Sequence, residues 1–205
     1  MIESALRLGL TLGLAHASDA DHVCTIAALL RTERGPLGAL HTALVWGLGH
    51  SAAFFGAGAL LVAADVHLPA WLAPSAEVLV AASLVWLGVT QWRHAECPTP
   101  AHGHHDRGEA RTFLLGIVHG LAGSAGVGLV ALTTMSTRPQ ALLFLGLYGA
   151  GVVLGMALVT LGLALPLRVV ARRSLVWRTR LIRAAALASI TAGLWFGLRL
   201  VVSPV

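Results

Sequence analysis

Lysine is absent from this chain of 205 residues, and charge of either sign is scarce. Charged residues make up 11% of it, where a soluble domain carries about 25%. The formal charge of +5 therefore comes from arginine alone. In a soluble protein such a balance would suggest nucleic acid. Here the arginines sit in short stretches between apolar runs, where they act as topology anchors, and no nucleic-acid partner is expected. Cysteine is nearly missing too: Cys24 lies in an apolar run and Cys97 in a polar loop. Two cysteines so placed do not make a disulfide framework, and they leave the redox compartment unread. There is no His-Glu-x-x-His string, which disfavours a zinc-dependent intramembrane hydrolase. No nucleotide-binding loop is present, and the sequence does not read as an enzyme.

What fills the space is apolar. Hydrophobic residues reach 57% and fall in long runs, and glycine is abundant at 23 residues. That is the pattern of membrane spans rather than of a buried soluble core. Six candidate helices follow, at roughly 5–30, 37–64, 76–93, 112–135, 140–165 and 181–203. Pro36, Pro139 and Pro166 sit at their boundaries, where a missing N–H does no harm. Arg7 followed by Ala15-His16-Ala17 loosely resembles a leader with a cleavage site, but the apolar run continues to Leu30 and reads as a span.

The two halves look alike. Leu12-Gly13-Leu14-Ala15-His16-Ala17 parallels Leu115-Gly116-Ile117-Val118-His119-Gly120, and Trp46-Gly47-Leu48-Gly49 parallels Tyr148-Gly149-Ala150-Gly151. Three spans per half insert the second copy upside down, a recurrent plan of transporters with the site at the repeat interface. The expected fold is an all-α membrane protein of six transmembrane helices as two inverted three-helix repeats. It forms a single transmembrane domain over 1–205: repeat one 1–93, a linker 94–111, repeat two 112–205.

Span one carries four ionisable groups in seven residues, His16-Ala17-Ser18-Asp19-Ala20-Asp21-His22. Each is expensive in hydrocarbon, at least ~2.5 kcal/mol for an aspartate at a helix centre. Two imidazoles with two carboxylates suit a borderline divalent ion: imidazole binds nickel, cobalt, zinc and copper, and carboxylate neutralises charge. On a regular helix His16, Asp19 and His22 share one face and Asp21 points away. Either Asp21 then partners another helix, or the helix is unwound there, as helices lining a cavity can be.

These residues resemble the nickel/cobalt transporter family. His16, four residues, then Asp21-His22 is similar to its signature, on the helix that holds the metal-recognition site. Leu48-Gly49-His50-Ser51 resembles its second signature. Gly116-Ile117-Val118-His119-Gly120-Leu121-Ala122-Gly123-Ser124-Ala125 resembles the corresponding helix of the short urease-accessory nickel permeases. The longer members have eight helices with the metal motif on the second; here it falls on the first span, so the six-helix branch matches better. The resemblance implies a membrane permease for nickel or cobalt, with uptake favoured over efflux. The metal is cargo, and no permanent cofactor is expected.

The expected metal set is His16, Asp21 and His22, with Asp19 and His50 close by; His50 reads as a ligand or as a partner orienting one. His119 matches His16 by repeat and lines the site or packs; Ser51 and Ser124 are weaker lining candidates. His94, Cys97, His102, His104 and His105 fall in the linker, as a metal-collecting loop or a solvated one. Proton coupling is natural, since histidine titrates near neutral pH and must be deprotonated to bind metal. A different class, a membrane thiol electron carrier with one cysteine per half, fails at the position equivalent to Cys24, which is Val127. The expected partners are the divalent ion and the lipid bilayer; a second copy of the chain is left open.

Loop charge sets orientation. Arg31, Arg34, Arg93, Arg107, Arg111, Arg168, Arg172, Arg173, Arg178, Arg180 and Arg183 follow spans one, three and five, against Arg7, Arg138 and Arg199 on the other side. By the positive-inside rule the first side is cytoplasmic. In the inner (cytoplasmic) membrane both termini then face out and the histidine-rich loop faces in. Reporter fusions after Val205 and within residues 98–106 check this: the C-terminal fusion is expected to be active only outside, and cytoplasmic activity there would refute the topology.

Overall fold

A computed structural model describes residues 2–30, 35–64, 71–93, 95, 105–121, 135–173 and 175–202. Among them the chain is helical, without strands: α1 (Ile2–His16), α2 (Ala20–Leu29), α3 (Pro36–Ala64), α4 (Leu72–Arg93), α5 (His105–Gly120), α6 (Arg138–Arg173) and α7 (Leu175–Val202). Among the described residues, four stretches are long and apolar enough to cross a membrane: Pro36–Ala63, Pro74–Arg93, Arg138–Leu165 and Val176–Val202. Leu187, Leu194, Trp195, Leu198 and Val201 stand exposed along α7. In water this would be an unusually large apolar patch; against acyl chains it is an ordinary lipid face. The chain is a multi-pass membrane protein.

The helices pair in a regular way. α1 lies along α6, α5 along α3, α3 along α6, and α4 along α7. Glycine brings three of these pairs into backbone contact, α4 with α7 through Gly88 and Gly193. A Cβ on Gly13 of α1 would overlap the Tyr148 carbonyl oxygen of α6 and stand 2.9 Å from the Val152 nitrogen. A Cβ on Gly116 of α5 would overlap the Trp46 carbonyl oxygen of α3 and stand 2.9 Å from the His50 nitrogen. Close approach of this kind replaces the hydrophobic driving force that lipid does not supply between helices. Trp46, Phe54, Phe144, Leu145, Tyr148, Val152 and Met156 then fill the core between α3 and α6. A smaller cluster of Ala76, Val80 and Leu84 on α4 faces Ala192 and Phe196 of α7. Ser189 donates its hydroxyl to the Leu84 carbonyl at 2.8 Å, pinning that pair.

The helices differ from the sequence expectation in three respects. The first span, read as one helix over 5–30, is broken: α1 stops at His16 and α2 starts at Ala20. Asp19 marks the restart, since aspartate favours the position before a helix, although its carboxylate goes to His16 rather than capping α2. Asp19 takes the extended conformation there, φ −61° and ψ 149°. Second, Pro166 does not end the fifth helix, which runs on to Arg173. The ring forfeits one hydrogen bond, to the Gly162 carbonyl, where a Cβ on Gly162 would meet open space and Leu165 is exposed. Third, the fourth helix begins at His105, earlier than residue 112, and the last begins at Leu175, earlier than residue 181. The fourth span beyond Leu121 falls among residues 122–134, outside the described residues, as do His94, Cys97, His102, His104 and Ser124.

The glycine contacts carry a test. Gly13→Ala and Gly116→Ala are each expected to lose about 1–3 kcal/mol, the usual penalty of overpacking. Gly146→Ala is the control, because a Cβ there meets nothing within 4 Å. Thermal unfolding of the three variants in detergent reads the difference; equal midpoints would remove the close-packing account.

Candidate metal centre

The break between α1 and α2 delivers a cluster of histidines to the middle of the bundle. His16, His22, His50 and His119 are all buried, as are Asp21 and Thr25. His16 closes α1, His22 stands in the first turn of α2, His50 is midway along α3, and His119 lies in the last turn of α5. The ring centroids of His16 and His22 are 4.5 Å apart, those of His22 and His50 5.0 Å, and those of His16 and His50 5.3 Å. Trp46 covers His22 from one side at 5.3 Å, and Tyr148 stands 5.7 Å from His16.

Hydrogen bonds fix which nitrogen of each ring is free. The His16 Nδ1–H donates to Asp19 Oδ2 at 2.9 Å, and the His22 Nδ1–H donates to Asp21 Oδ1 at 3.0 Å. A carboxylate only accepts, so in both neutral rings Nε2 carries the lone pair. A carboxylate behind the ring is also the usual partner that orients a metal-binding imidazole. His16 Nε2 lies 3.3 Å from His50 Nε2. Two imidazoles on one ion at 2.0–2.1 Å would stand about 3.4 Å apart in a tetrahedral set and about 3.0 Å apart when adjacent in an octahedral one. The observed spacing falls between the two. His22 Nε2 and His50 Nδ1 are buried without a hydrogen-bond partner. Such an atom costs about 1–3 kcal/mol if nothing satisfies it.

One ligand nitrogen from each of His16, His22 and His50 falls within 4.8 Å of the others. A second group, Asp19, Asp21 and His22, meets the same limit and shares His22 with the first. Asp19 is about half exposed, whereas Asp21 and His22 are buried. The two groups thus form a path from the surface inward. They can neutralise a dication with two carboxylates and bind it through three imidazoles, the donor set of a borderline metal.

The broken helix also settles the orientation of Asp21. Expected to point away on a regular helix, it instead turns inward against His22. Asp19 begins α2 but makes no side-chain cap to it; its carboxylate is held by His16 instead. His119 lies beside this cluster, its ring 6.1 Å from that of His22. Ser51 does not: its hydroxyl donates to the Gly149 carbonyl at 3.1 Å and ties α3 to α6. His105 is helical within α5, at a distance along the chain from the cluster. His41 pairs at 3.7 Å with Glu109, both exposed, at the far ends of α3 and α5. One residue was not singled out from sequence: Thr25, whose hydroxyl lies 3.1 Å from His119 Nε2. Its spacing was the available signal, since Thr25 follows Asp21 by one helical turn.

With this geometry in view, the chain compares with one curated relative as follows. It is 28% identical over 183 residues to the urease accessory protein UreH of Bacillus sp. (strain TB-90), covering 83% of this chain and 80% of that protein. The resemblance to the short urease-accessory branch of the nickel/cobalt transporters holds. No family model matches the chain, and no solved structure matches it.

Cys24 lies on α2 close to these groups, but it is half-buried against Ala76, Val80 and Leu84 of α4. It reads as packing, because histidine and aspartate already suit the ion. Cys24→Ala is expected to keep nickel binding and transport near the level of the unaltered protein. Loss of both, with normal membrane insertion, would make the thiol a ligand or revive a redox role.

Proposed function

We propose that this chain is a permease, not an enzyme, that carries a divalent transition-metal ion, nickel or cobalt, across the inner membrane. One observation carries the reading: three buried imidazoles with ligand nitrogens within 4.8 Å of one another, inside an apolar helical chain. His16, His22 and His50 are the ligands, Asp21 and Asp19 orient them and balance charge, and the ion is cargo rather than a resident group. UreH is called a urease accessory protein, which agrees with delivery of nickel and with uptake as the direction.

The architecture proposed with it has six crossings in two inverted repeats, 1–93 and 112–205, joined by 94–111. α1 and α2 make one broken crossing, and α5 opens its counterpart. Support comes from matched contacts: Gly13 on Tyr148 and Val152 in one pair, Gly116 on Trp46 and His50 in the other. Gly13 and Gly116 are the repeat equivalents, and so are Tyr148 and Trp46. Arginine asymmetry favours external termini and a cytoplasmic loop, whose histidines would collect or receive the ion.

His16→Ala, Asp21→Asn and His22→Ala should each reduce nickel transport by about 10–100-fold while still inserting. Asp21→Asn is the sharpest of them, because it keeps shape and removes charge. Calorimetric titration of the purified variants with nickel gives the independent readout. Unchanged stoichiometry and affinity in all three would overturn the site.

A further inference from the structure

Among the described residues, His119 is the one buried histidine that the ligand triad leaves out. Its Nδ1–H donates to the Leu115 carbonyl at 2.9 Å. A carbonyl only accepts, so the neutral ring keeps its lone pair on Nε2, as His16 and His22 do. That lone pair faces the Thr25 hydroxyl at 3.1 Å. The hydroxyl donates to it here, yet the same oxygen carries lone pairs of its own and can turn them to a cation. His119 stands in the last turn of α5, as His16 ends α1. Both are presented from helix C-termini, where the backbone dipole favours positive charge.

His22 lies between them, its centroid 4.5 Å from His16 and 6.1 Å from His119. Its Nε2 has no hydrogen-bond partner. Thr25 lies three residues further along α2, about 4.5 Å of helix rise away from the break. We infer that His119 and Thr25, with His22 and Asp21, form a second metal station, and that His22 passes the ion to it from the His16–His22–His50 station. The first station binds on the side of the break, and the second draws the ion along α2. His119 stands farther from His22 than His16 does, which fits sequential occupancy of the two stations. The Thr25 hydroxyl holds the vacant imidazole in its binding tautomer until the ion arrives.

This inference rests on the permease reading, and the experiment separates their failures. Purified protein is titrated with nickel alone, and transport is followed in vesicles loaded with a nickel-sensitive dye. His119→Gln is expected to hold first-station affinity within about threefold and to lower turnover about tenfold, a loss in kcat rather than in binding. A merely structural histidine would not split the two. Thr25→Val should slow turnover in the same direction and Thr25→Ser should restore it, which covers the case of a His119 variant that fails to fold. In a His16→Ala, His50→Ala background, weaker nickel binding should persist and disappear when His119→Gln is added. Unchanged turnover in His119→Gln and Thr25→Val overturns the second station and leaves the first intact. An affinity loss in His119→Gln equal to that of His16→Ala overturns it in favour of one joint site. Absence of nickel and cobalt binding in the unaltered protein overturns the permease reading, and the second station with it.

Discussion

Imidazole and carboxylate groups buried among apolar helices impose the constraint on which the rest of this structure depends. Water is not there to satisfy them, so each must find a partner within the protein or hold a ligand. The aspartates meet part of that demand. Asp19 and Asp21 accept hydrogen bonds from the Nδ1–H groups of His16 and His22, which leaves the lone pair of each ring on Nε2. What remains is the His22 Nε2 and the His50 Nδ1, both buried without a hydrogen-bond partner. Where several acceptors converge with too few protons between them, a cation is the natural complement.

The broken helix is the device that makes convergence possible. A continuous helix through residues 16–22 would spread these side chains around and along its cylinder. Stopping at His16 and restarting at Ala20 brings His16 and His22 within 4.5 Å and swings Asp21 inward. Irregular backbone at membrane depth is tolerated only where protein or a water-filled cavity covers it. The exposed Asp19 beside buried Asp21 fits such a cavity. Glycine then sets the distance to the partners. Gly116 and Gly120 let α5 lie against the backbone of α3 at Trp46 and His50, so that His119 reaches the same cluster as His50.

Much of this was legible in the sequence, for identifiable reasons. An apolar chain cannot hide four ionisable groups in seven residues, so the place of the centre was plain. The parallel of Gly13 with Gly116 and of Trp46 with Tyr148 was visible between the halves, although only packing reveals that these residues touch in exchanged pairs. The break was half legible: spacing set Asp21 apart from its neighbours, but pattern alone did not decide between a distant partner and unwinding. Pro166 misled because a helix can run on through a proline at the loss of one hydrogen bond, and a proline's position in the sequence does not say whether it will. Thr25 escaped notice because a threonine in an apolar helix is unremarkable until His119, 94 residues away, is found at its hydroxyl.

The choice of donors bears on why such a centre would conduct rather than store. A pathway must bind its ion well enough to admit it and weakly enough to release it, and several adjacent stations serve that end. Thiolate would hold a borderline metal too firmly, and Cys24, though nearby, is turned to hydrophobic packing on α4. Neutral imidazoles leave the dication's charge to the two carboxylates, of which the half-exposed Asp19 is exchangeable with water and the buried Asp21 is not. In the proposed permease the fixed charge of Asp21 would draw the ion inward. His22, the member common to both ligand groups, would be the ring that it meets on the way. A single histidine with its Nε2 uncommitted, held by a buried carboxylate from behind, is what a handover between neighbouring sites needs.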